Sequence, residues 1–110
     1  MLNKKVEEAI NAQINAELFS AYLYMSMGAY LDSMNLTGFS NWMSIQVQEE
    51  LSHVQKFYHY VNERGGRVVL DAIEKPEFEW DSVLDVFEAT YEHEQKVTSL
   101  FNGLAEVARI

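Results

Sequence analysis

The chain has 110 residues, one domain's length; 48% are hydrophobic, with five Gly and one Pro, which excludes disordered and collagen-like classes and favours helix. It has no cysteine, so disulfide frameworks and thiolate metal ligands are excluded, leaving His and carboxylates as the strong ligands. Seventeen acidic against eight basic residues give −9, a field that repels nucleic acid and gathers cations, or simply keeps the surface well dispersed.

The opening "MLNKKVEEAINAQ" is charged and polar, unlike a secretory leader, and the apolar runs are too short to span a bilayer. A cytoplasmic protein without a membrane partner is expected. A first helix is predicted over 4–33, with Ile10, Ile14, Glu17, Ala21, Tyr24, Gly28 and Leu31 on one seam at alternating three and four spacing. "DSMNLTG" (32–38) is a short polar break in which Asn35 or Thr37 is expected to cap the next helix, and its brevity makes the first two helices antiparallel neighbours.

The second helix is predicted over 38–65, with Phe39, Met43, Gln46, Glu50, His53, Phe57, Tyr60 and Arg64 on its seam, closed by the glycines of "RGGRV". Residues 67–81 follow as a long link in which Pro76 argues against helix. The second helix is roughly 40 Å long, and fifteen extended residues reach at most roughly 50 Å, so this link can return along the whole bundle. The second and third helices then run parallel, with "VVL" and "FEW" tucked against the outside of the bundle. Ser82 and Asp85 have capping-box spacing, so the third helix is predicted over 82–109, with a seam of Val83, Phe87, Thr90, Glu94, Val97, Phe101, Leu104 and Ala108. The fold class is all-α: an up-down helical bundle with a long crossover between the second and third helices.

Each seam is interrupted near its middle by an acid: Glu17, Glu50 and Glu94. Helix midpoints share one level, so three carboxylates meet there, together with His53, one turn beyond Glu50 on the same face. One Glu on a seam ordinarily reaches water, and Glu-x-x-His alone is a weak signal. Three seams disrupted at matching heights are another matter. An ionised carboxylate in a dry core costs several kcal/mol, and three would repel one another, so something positive must sit among them. No Lys or Arg lies on these seams except Arg64 at an end. Divalent iron, manganese or zinc suits the imidazole and carboxylates, and a pair of ions bridged by Glu50 neutralises the cluster best. Tyr24 reads as core packing with a hydroxyl able to bond a ligating carboxylate. Gln46 and Thr90 read as partners of the acids or as small polar core groups. His59 and His93 fall off the seams and are expected at the surface, while Met25, Met27, Met34 and Met43 are expected in helix packing.

The stretches "NAQINAELFSAYLY" (11–24), "WMSIQVQEELSHVQKFYHYVNERGGRV" (42–68) and "FEATYEHEQKVT" (87–98) resemble the bacterial-type, non-haem ferritins, and the similarity runs over essentially the whole chain. The resemblance implies one ferritin-like di-iron domain over 1–110, oxidising Fe(II) with dioxygen or peroxide and storing ferric mineral in a homo-oligomeric cage of two dozen subunits. By position, Glu17, Glu50 and His53 resemble the ligands of the first iron, Glu50 bridges to a second iron held also by Glu94, and Tyr24 matches the tyrosine beside the centre. Glu49 is similar to a residue of an additional iron site. Leu51 stands where haem-binding relatives carry methionine, so no haem is expected. Family subunits continue into a fourth long helix that supplies a further ligand. The chain is therefore expected to represent three of four main helices, with metal binding or self-association as the alternative to full ferroxidase activity.

Overall fold

Asn3 starts the first helix: its side chain accepts from the backbone N–H of Lys5 at 2.8 Å and Val6 at 3.4 Å, satisfying donors that no helical turn can reach. The computed structural model describes residues 2–108, Ala108 by its backbone alone; the expected helix end at Arg109 and the Ala108 seam position lie outside the described residues. The elements are α1 (Lys4–Ser33), α2 (Thr37–Glu63) and α3 (Val83–Ala108), with no strand among the described residues.

The turn between α1 and α2 departs from expectation. Asn35 takes φ +60° and donates its N–H to the Asp32 carbonyl at 2.9 Å, while the Leu36 N–H reaches the Leu31 carbonyl at 3.0 Å. Asn35 thus closes α1 rather than opening α2, because asparagine tolerates the left-handed region better than most residues. The N-cap of α2 is Leu36, which offers no side-chain acceptor, and Thr37 is already helical. At the far end Gly65 adopts φ +75° as expected, and the Gly66 N–H bonds the Val61 carbonyl at 2.9 Å. Ser82 Oγ accepts from the Asp85 N–H at 3.1 Å, the expected cap of α3.

The helices run up, down and, after the crossover, down again. The Leu2 N–H bonds the Arg64 carbonyl at 3.1 Å, so the start of α1 meets the end of α2. Residues 67–82 then travel back along α1. Asn11 Nδ2 donates to the Arg67 carbonyl, Asn15 Nδ2 to that of Ala72, Ser26 Oγ to that of Glu77 and Tyr30 Oη to that of Trp80. Side chains toward both ends of α1 thereby satisfy carbonyls of a segment that has no ladder of its own. Val68 and Trp80 pack inward, but Val69, Leu70 and Phe78 are exposed, so "VVL" and "FEW" are tucked in only in part.

α1 lies between α2 and α3 and packs its backbone against both. All seven residues of its expected seam are buried, and so are Gln13, Ser20, Leu23 and Met27 on a second face. The seam of α2 is rotated from expectation: Met43, Val47, Glu50 and Val61 are buried, whereas Phe39, His53 and Tyr60 are exposed. α1 takes the Val47–Val61 side; on the other side Phe39 and Trp42 set their rings 5.3 and 5.6 Å from that of Phe87 on α3, and further along, at His53, an open groove separates α2 from α3. Phe101 of the α3 seam, at 50% exposure, borders that groove. Met27 and Met43 are fully buried as expected, but Met25 lies on the outer face of α1 and Met34 past its end, and both are exposed.

Candidate metal centre

Two apolar clusters occupy the two halves of the bundle. One contains Tyr24, Met27, Leu31, Met43, Val47 and Val86, and the other Ile10, Ile14, Val61 and Leu104. Glu17 falls in sequence between Ile14 and Ala21, and Glu50 between Val47 and Val61, so the acids separate the two clusters. Each carboxylate arrives on a helix whose neighbouring turns are anchored in apolar packing, which limits its freedom to turn toward solvent.

Glu17, Glu50 and His53 converge: one ligand atom from each lies within 4.8 Å of the others. His53 Nδ1 stands 3.8 Å from Glu17 Oε2 and 3.7 Å from Glu50 Oε2. Both glutamate side chains are 4% exposed, whereas His53 is 47% exposed and sits at the edge of the groove. Glu17 Oε1 accepts from Gln13 Nε2 at 3.3 Å, but Glu17 Oε2 and Glu50 Oε2 are buried without a hydrogen-bond partner. Two orphaned carboxylate oxygens aimed at one point are costly unless a cation or shared protons compensate them. Burial pushes the Glu50 carboxyl up to about 9, and the adjacent Glu17 carboxylate, then Glu94 and Glu49, add to the effect. The site thus favours a proton on Glu50 when no other cation is there. Its donor set, two carboxylates and an imidazole, fits a divalent transition metal.

Glu94 lines the same groove of about 380 Å³ but stands outside the trio. Tyr24 holds it, donating from its hydroxyl to Glu94 Oε1 at 2.5 Å. Burial, then the bond to Glu94 and the surrounding carboxylates, push the Tyr24 phenol far above its ordinary value, so it remains a donor. Thr90 belongs to the packing: its hydroxyl donates to the Val86 carbonyl at 2.9 Å and contacts Met27 Sδ at 3.3 Å. Gln46 is half-buried, and Glu49 and His59 are exposed.

His93 is not a surface residue. It is half-buried between the rings of Phe19 and Tyr24, with Nε2 2.7 Å from Ser20 Oγ. Burial lowers its imidazole from the ordinary value, opposed by Glu94 and Glu17 and aided by Lys96. The second buried face of α1, which carries Ser20, is what encloses His93; seam spacing on α3 alone gives no sign of it.

The family model for ferritin, described as a ferritin-like domain, matches residues 7–110. The chain belongs to the ferritin-like family. It is 41% identical over 109 residues to the bacterial non-heme ferritin of Staphylococcus aureus strain USA300, covering 99% of this chain and 66% of that protein. The Staphylococcus epidermidis bacterial non-heme ferritin is likewise 41% identical with the same coverage. Among solved structures, an open pore ferritin from the hyperthermophilic archaeon Archaeoglobus fulgidus superposes with a TM-score of 0.95 at 55% identity, covering 99% of this chain and 67% of that one. A structure described as humanized archaeal ferritin gives 0.96 at 53% identity, covering 99% and 66%. The chain thus spans about two thirds of the length of the ferritins it matches. Among the described residues, no helix of this ferritin-like chain is long and apolar enough to cross a membrane.

Proposed function

We propose that this ferritin-like chain binds Fe(II) at Glu17, Glu50, His53 and Glu94, passes its electrons to dioxygen or peroxide, and contributes to a homo-oligomeric store of the ferric product. The observation that carries this reading is the pair of buried, unpartnered oxygens, Glu17 Oε2 and Glu50 Oε2, facing His53 Nδ1. Iron is the substrate and cargo. Anionic oxygens favour Fe(III) over Fe(II) because each added positive charge gains more from them in a poorly solvated site. Glu94 would serve a second iron beside the first, with Tyr24 fixing the orientation of its carboxylate. The open groove gives metal and oxidant access to the acids. The name of the bacterial relatives, non-heme ferritin, supports iron without haem as the cargo. Val69, Leu70 and Phe78, exposed on the crossover, offer apolar contact to further subunits.

The placement of Glu94 outside the trio favours one second reading: a chain that binds one metal ion firmly and oxidises iron slowly. Adding Fe(II) anaerobically, counting ions bound per chain and then admitting air decides between them. Two ions and rapid Fe(III) formation, abolished by Glu50→Gln, support the oxidase; one ion and oxidation no faster than in buffer supports the second reading.

A further inference from the structure

Ser20 and Tyr24 are one turn apart on α1, so they face α3 together. Each holds one of two consecutive α3 residues: Ser20 Oγ is 2.7 Å from His93 Nε2, and the Tyr24 hydroxyl is 2.5 Å from Glu94 Oε1. Ser20 has a single hydroxyl proton, and its oxygen also lies 3.0 Å from the Ala16 carbonyl, which can only accept, so both contacts are hydrogen bonds when that proton goes to Ala16. The serine oxygen is therefore the acceptor, and His93 donates from Nε2–H. Phe19 and Tyr24 bracket the imidazole at ring-centroid distances of 5.7 and 5.8 Å, the Tyr24 contact being perpendicular. Ser20 is fully buried, so a donor lost from this bond is not replaced by bulk water.

Adjacent residues on a helix point about 100° apart, as 3.6 residues make a turn. Apolar packing through Val86 and Leu104 limits the roll of α3 coarsely, and the Tyr24–Glu94 bond by itself adds one distance. A second bond from a different azimuth narrows the roll that remains. We propose that His93 is a positioning residue: by donating to Ser20 and walling the Tyr24 ring, it fixes the roll of α3, so that Glu94 is presented to a metal ion beside the Glu17–Glu50–His53 trio. This rests on the two-ion reading of the centre. His93 is not a ligand in this scheme. It acts on the second ion through Glu94 and leaves the first untouched.

The test is Co(II) titration of the metal-free full chain, read by the visible absorption bands of the bound ion, for the unmodified protein, His93→Leu, His93→Gln and Ser20→Ala. Leucine removes the donor, glutamine restores one near the Nε2 position, and Ser20→Ala removes the acceptor from the other helix with a smaller change in volume. The expected result is a second binding step weakened about tenfold or more in His93→Leu and Ser20→Ala, a typical effect of losing a group that orients a ligand, with the first step unchanged and the second recovered in His93→Gln. Ser20→Ala carries the test should His93→Leu fail to fold. Equal titrations of all variants overturn the inference. So does equal weakening of both steps, or failure of glutamine to restore the second, since a purely structural role would give either. If the unmodified chain shows only one step, the two-ion reading itself has failed and the inference falls with it; two steps that ignore His93 leave that reading standing.

Discussion

Tyr24 and Glu94, 70 residues apart in sequence, are joined across α1 and α3 by a hydrogen bond of 2.5 Å from phenol to carboxylate. Tyr24 is fully buried, so its hydroxyl cannot turn to bulk water, and Glu94 draws on that donor inside the bundle. Tyr24→Phe is expected to destabilise the metal-free fold by about 1–3 kcal/mol, the cost of stranding a polar group. Urea unfolding followed by circular dichroism measures it. A loss smaller than experimental error would mean that Glu94 finds water instead.

The Glu50 carboxyl, at about 9 when folded, sits above the ordinary glutamate value of 4.5. Folding therefore takes up a proton, and this group's contribution to stability is complete below the unfolded value and is lost as pH rises through the folded one. The melting temperature of the metal-free protein is expected to fall between about pH 5 and about pH 9, and Glu50→Gln, which cannot ionise, should flatten that decline. Melting curves across this range check both; an unchanged slope in the variant would remove Glu50 as its source.

Two glycines are expected to respond oppositely to alanine. A Cβ on Gly28 would lie 3.6 Å from Met43 Cβ, an ordinary contact, so Gly28→Ala should stabilise the C-terminal part of α1 by about 0.5–1 kcal/mol through helix propensity. Gly65 meets nothing within 4 Å, but its φ of +75° is strained for an L side chain, so Gly65→Ala should cost about 1 kcal/mol. Chemical denaturation of both variants is the measurement, and like signs would contradict the packing and backbone described at these positions.

His53 is half exposed and contributes little to the core, so His53→Ala should leave helix content nearly unchanged while weakening Fe(II) binding by about tenfold or more. Calorimetric titration under anaerobic conditions reads the affinity. Unaltered uptake would count against His53 as a ligand.

Much of this arrangement is legible in the residues. The α1 seam is buried at every expected position, the crossover is long enough to travel the bundle, and Glu17, Glu50 and His53 do converge. Periodicity finds a stripe where one apolar face meets one neighbour. It is less informative where a helix has two neighbours or only one, and those are the places where expectation failed. α1 sits between two helices and buries a second face with Ser20, which encloses His93; α2 packs chiefly on α1 through Val47 and Val61, which leaves Tyr60 exposed and Phe39 half-exposed against the Phe87 ring of α3. Asn35 was ambiguous for a different reason: the same side chain suits a helix start and a left-handed helix end, and only the chain reversal selects between them.

The placement of iron is tested most directly by an anomalous-difference map, recorded at the iron edge, from crystals grown without metal and soaked anaerobically in Fe(II). The expected map has its strongest peak within coordinating distance of Glu17, Glu50 and His53 Nδ1, with any second peak beside Glu94. A map with no peak among these side chains, or with the carboxylates turned out to solvent and iron bound elsewhere, would contradict the proposal that a cation compensates the buried acids.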